Sequence, residues 1–95
     1  MREARFNIIY DANPTEIARI FTESDALKLL TLKDRECKYS TDNEMKCSFN
    51  FNLGRAIGIG KTHTIEFEKG KINYVKCANK FGEVPERCTI IVKVI

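Results

Sequence analysis

The sequence predicts an α+β domain: one strand, one or two short helices, then an antiparallel β-meander curled around them. Three observations carry this. Apolar and polar residues alternate from Ala4 to Tyr10, and a helix-start signal follows at Asn13-Pro14-Thr15-Glu16. From about Arg35 to Ile95 the chain reads as short alternating runs broken by Gly, Asn and Pro, the pattern of hairpins.

Strand one places Ala4, Phe6, Ile8 and Tyr10 on one side. Asn13 can cap a helix, Pro14 suits its first position, and Glu16 fits a capping box. Ile17, Ile20 and Phe21 would share one helical face, and Ser24-Asp25 offers a second cap ahead of Leu27, Leu29, Leu30 and Leu32. The helical region is expected to end near Leu32. Cys37 and Tyr39 then begin the meander. Met45, Cys47, Phe49, Phe51 and Leu53 alternate with Lys46, Ser48, Asn50 and Asn52, the cleanest strand pattern in the chain. Ala56–Glu68 is long for a strand, and Gly58 and Gly60 suggest a bend or bulge within it. Ile72–Cys77 is another strand. Cys88–Ile95 closes the chain, apolar on both sides at Ile90, Ile91 and Val92, and so central or covered.

The 95 residues suit a single domain, 1–95, with 43% hydrophobic and 31% charged residues, as in a globular protein and not a disordered one. No apolar run approaches the ~20 residues of a membrane span, and the start lacks a signal-peptide core. A cytoplasmic location is the expectation. The net charge of +3 is uneven: residues 1–54 carry eight basic and nine acidic side chains, residues 55–95 eight and four. A mildly basic meander could attract an anionic partner, although a dedicated nucleic-acid protein would show a denser basic stripe.

Gly54-Arg55-Ala56-Ile57-Gly58-Ile59-Gly60-Lys61-Thr62 superficially suggests a phosphate loop. Arg55 stands where such a loop begins with a small residue, and a strand-like run follows where a helix must receive the phosphate. Counting back by twos from Phe67 puts Ile65, His63, Lys61, Ile59 and Ile57 on one face, unless a bulge reverses the parity. Lys61 and His63 would then form the polar end of an apolar ligand site. One histidine excludes a histidine-rich metal site, no catalytic constellation is present, and no cofactor or metal is expected. Cys37/Cys47 and Cys77/Cys88 each flank a predicted hairpin; free thiols, cross-strand disulfides and metal binding all remain open.

The segment from Phe6 through Asp11-Ala-Asn-Pro-Thr-Glu-Ile-Ala-Arg-Ile-Phe-Thr-Glu-Ser-Asp25 resembles the opening of the START-like (SRPBCC, helix-grip) superfamily. The motif match spans about the first 30 residues, and the remainder agrees in layout. The resemblance implies a helix-grip-like fold with an apolar cavity between sheet and helices that takes lipids or other hydrophobic molecules. The chain departs from the superfamily in ending on a strand without its closing helix. A cystatin-like fold has the same strand–helix–meander order. The leading expectation is non-catalytic binding of a hydrophobic small molecule or lipid by Tyr39, Phe49, Phe51, Lys61, His63, Ile65 and Tyr74. The alternative is an interaction protein, homo-oligomeric (a homodimer, for instance) or bound to an anionic partner such as nucleic acid, that uses an exposed sheet face.

Overall fold

The computed structural model describes residues 6–11, 17–23, 26–42, 46–67, 70–85, 87–88 and 90–95. The chain is nearly all β, a curled antiparallel sheet, and the α+β expectation, helix-grip-like or cystatin-like, is corrected. The strands are β1 (Phe6–Asp11), β2 (Ile17–Glu23), β3 (Ala26–Ser40), β4 (Arg55–Glu66), β5 (Ile72–Ala78) and β6 (Ile90–Val94). The order across the sheet is β1-β6-β5-β3-β2, with β4 along the other edge of β3. The capping signal Asn13–Glu16 lies outside the described residues.

The expected helices fail because their apolar residues satisfy a period of two. Leu27, Leu29 and Thr31 are buried on one face of β3, while Ala26, Lys28 and Leu30 are half-buried on the other. Leucines crowded for one helical stripe are thus spread over two faces of a strand. In β2, Ile17, Ile20, Phe21 and Thr22 are β-branched or aromatic, types that suit a pleated surface. The opposite correction applies to Met45–Leu53, whose clean alternation does not mark a strand. Lys46–Ser48 and Phe51–Leu53 are two short 3-10 helices in the connection from β3 to β4. Asn50 caps the second one, its side chain accepting from the Asn52 N–H at 2.9 Å. The connection lays Phe49 and Cys47 against Tyr74, Ile72, Ile91 and Cys88, forming a small second core on the outer side of β5 and β6.

The main core depends on a sharp bend. A straight strand of 15 residues would span roughly 46 Å, yet the longest dimension of the molecule is 39 Å. Ala26 pairs with Glu66 at one end of β3, and Tyr39 pairs with Arg55 at the other. Even so, the Tyr39 hydroxyl donates to the Glu66 carbonyl at 3.4 Å. The β3–β4 hairpin is therefore folded back on itself. Its register slips between Leu30/Thr62 and Arg35/Gly60, so residues 31–34 bulge from β3 opposite Lys61. On the β4 side, Gly58 and Gly60 take φ of 128° and 111°, values that L side chains rarely adopt. The crease turns Leu27, Leu29 and Ile65 toward Cys37, Tyr39, Ile57, Val75, Cys77, Ile90 and Val92. As the pattern of residues 88–95 implied, β6 is interior, paired with β1 on one side and β5 on the other.

A Cβ at position 58 would lie 3.0 Å from the Thr62 carbonyl oxygen and 3.5 Å from His63 Nδ1. Gly58→Ala is expected to destabilise the fold by about 1–3 kcal/mol. Urea unfolding should show this as a lower midpoint at unchanged slope.

Candidate functional site

The residues expected to line one pocket are distributed over three environments. Tyr39, His63 and Ile65 are buried in the main core region, and Phe49 and Tyr74 belong to the second core. Phe51 is half-buried beneath the Lys38 ammonium, 4.7 Å from its ring centroid. Lys61 is exposed. The face-sharing expected along β4 is interrupted at the two glycines: Ile57, His63 and Ile65 point inward, whereas Ile59 and Lys61 point to solvent. A lysine–histidine pair at the end of an apolar pocket does not form. Leu27, Leu29, Ile65, Val75 and Ile90 pack together on the concave side of the sheet.

His63 sits in the crease and is fully buried. Its Nδ1 lies 3.2 Å from the Gly58 carbonyl oxygen, a contact that assigns the Nδ1–H tautomer to the neutral ring. Nε2 faces the Thr31 hydroxyl and the Cys37 sulfur, each at 3.5 Å. The Thr31 hydroxyl donates to the Lys33 carbonyl at 2.7 Å, which fixes the bulge. Burial lowers the pKa of the ring below its ordinary 6.5, and hydrogen bonds to the Gly58 and Gly60 carbonyls partly offset that effect. This histidine is a polar rivet for the bend.

Beside it, Cys37 and Cys77 form a disulfide between directly opposed positions of β3 and β5. Cys47, half-buried, and Cys88, buried, are free and pack in the same small cluster. The cysteines thus associate first with third and second with fourth, and neither predicted hairpin brings its own pair together. Sequence reasoning followed adjacent runs, whereas pairing here follows β3–β5 and the connection folded over β5. Among the described residues, no three His, Cys, Asp or Glu side chains are grouped to hold a metal ion. Among the same residues, no helix is long and apolar enough to cross a membrane.

One surface cleft, of about 310 Å³, is lined by Asp34, Arg35, Glu36, Ile59, Ala78, Asn79, Lys80 and Gly82. Ile59, Glu36 and Ala78 lie in one row across β4, β3 and β5. Ile59 is 82% exposed and Phe81, on the adjoining turn, is 74% exposed. That turn is tightly ordered. Asn79 Oδ1 accepts from the N–H groups of Phe81 and Glu83 at 2.9 and 3.0 Å. The backbone adds Gly82 N–H to Asn79 O and Asn79 N–H to Glu83 O. Gly82, at φ 79°, supplies the left-handed residue the turn requires. Sequence reasoning passed over Phe81 because it lies in a polar loop, although the Asn79-x-x-Gly82 spacing is a turn signal.

Two outcomes are expected. Because the folded-state pKa of His63 lies below the unfolded value, its contribution to stability is complete above pH 6.5 and is lost as pH falls below 6.5 toward the folded pKa. Chemical denaturation from pH 7.5 downward should show this loss, and His63→Gln should abolish that component of the slope. Replacing Cys37 and Cys77 together by Ala removes a cross-link of sequence separation 40 and should cost about 2–4 kcal/mol, read as a lower denaturation midpoint.

No family model matches the chain, and neither a curated protein nor a solved structure matches it. Its function is therefore argued from these residues alone.

Proposed function

We propose that this protein is a non-catalytic, disulfide-braced interaction module that self-associates through the surface around Ile59 and Phe81. The observation that carries this reading is the ordered turn holding Phe81 out beside the Asp34–Gly82 cleft. A turn ordered in advance loses little conformational entropy on binding, and buried aromatics are frequent anchors of interfaces. A projecting ring and a cleft on the same patch are self-complementary. A two-fold axis through that patch would let each chain's Phe81 enter the other's cleft. Asp34, Glu36 and Lys80 would rim the contact with both signs of charge.

The rival reading, a hydrophobic ligand between sheet and helices, is less well supported. The described residues contain no α-helix, and five of the seven expected lining residues are buried core. The disulfide supports a setting in which thiols are not kept reduced. A nucleic-acid version has weaker support, since Lys38 and Lys76 lie against the rings of Phe51 and Phe49 and leave those faces covered.

Sedimentation equilibrium over a dilution series tests the proposal. A reversible dimer is expected, weakened at least ~10-fold by Phe81→Ser or Ile59→Ser, with thermal stability of the monomer unchanged. A wild-type protein that stays monomeric throughout the series would overturn it.

A further inference from the structure

The proposed interface leaves the second cysteine pair unused. Cys47 stands on the first 3-10 turn and is half-buried, whereas Cys88 is buried beneath it. Both pack with Phe49, Tyr74, Ile72 and Ile91. Lys46, immediately before Cys47, has φ 42°, an uncommon left-handed value for a side chain of its type. Lys76 is only 5% exposed. Its ammonium is held by the Phe49 carbonyl at 2.8 Å and by the Phe49 ring at 4.8 Å. Burial first, and contact with Cys47 second, push the Cys88 thiol well above its ordinary range, while Lys76 acts in the opposite direction. The pair therefore combines a half-buried thiol, a shielded thiol in the same packed cluster and a fixed cation.

We propose that Cys47 and Cys88 form a thiol–disulfide exchange site for small-molecule disulfides of the glutathione type, with Cys47 as the entry thiol and Cys88 as the resolving thiol. Cys47 gives its proton to solvent, and its thiolate attacks one sulfur of the small disulfide. The bond between the two small-molecule sulfurs breaks as the Cys47 mixed disulfide forms, and the departing thiolate takes up a proton. Cys88 then loses its proton to solvent and attacks the Cys47 sulfur. The Cys47–Cys88 bond forms, and the second small thiolate leaves and is protonated. Two protein thiols and one small disulfide become one protein disulfide and two small thiols, with two electrons passing to the small molecule. Lys76 favours the Cys88 thiolate in the second step. The product would tie the β3–β4 connection to the approach of β6, as Cys37–Cys77 ties β3 to β5.

The test is to incubate the native protein with oxidised glutathione, quench in acid, unfold, alkylate and digest without reduction for mass spectrometry. The expected result is a Cys47–Cys88 cross-link, no alkylated cysteine and no retained glutathione. Cys88→Ser should hold one glutathione on Cys47, and Cys47→Ser should react at least ~100-fold more slowly, because the buried thiol is out of reach. A wild-type protein that keeps glutathione on Cys47, leaves both thiols open to alkylation or cross-links either of them to Cys37 or Cys77 would overturn the proposal. Because the wild-type product is decisive, the result does not depend on either variant folding.

Discussion

The bend in the β3–β4 hairpin is the constraint from which the other features follow. A sheet this small cannot bury an apolar face against a second layer unless it provides that layer itself. The hairpin does so by folding at residues 31–34 and at Gly58 and Gly60. Folding exposes backbone carbonyls to the interior just where the ladder is interrupted. His63 and Thr31 answer part of that demand, His63 at the Gly58 carbonyl and Thr31 at those of Lys33 and Gly60. An apolar residue at either position would leave a carbonyl without its donor, which is costly inside a protein. The position of the disulfide follows from the same bend, since Cys37 lies in the half of β3 that pairs with β5.

The bend also fills the concave side with side chains. Once the two halves of the hairpin face each other, Leu27, Leu29 and Ile65 meet Tyr39, Val75 and Ile90. What remains for function lies at the outer edge of the crease. The reversal of parity that sends His63 inward turns Ile59 outward. The buried rivet and the exposed apolar anchor are thus two results of one irregularity.

Much of the β content was legible: β1, the bent β4 and β5 from strand-like runs, and the interior β6 from a run apolar on both sides. Two regions misled for opposite reasons. Between Ile17 and Leu32, capping signals and closely spaced leucines suggest helix, but the leucines suit both faces of a strand that is covered on each side. Between Met45 and Leu53, alternation suggests a strand, yet β3 already has β4, β2 and β5 on its edges. The connection instead packs across β5 and β6 through Cys47 and Phe49, while Leu53 stays exposed. Of the expected site residues, Phe49 and Tyr74 do meet, but in a filled core. The exposure of Ile59 depended on two glycine dihedral angles that composition alone does not reveal.

The pairing of β1 with β6 joins the two ends of the described chain, Phe6 opposite Val94. Contacts so distant in sequence close late in folding, because the intervening loop entropy must first be overcome. Among the described strands, β1 pairs with β6 alone, so it is the element whose detachment disturbs least of the remaining sheet. Its loss would bare the edge of Ile90-Ile91-Val92-Lys93-Val94, a short β-rich run with a single charge. Such an edge is a template for strand addition between molecules. Release of one peripheral strand would thus make this protein prone to aggregate while its creased core stays folded.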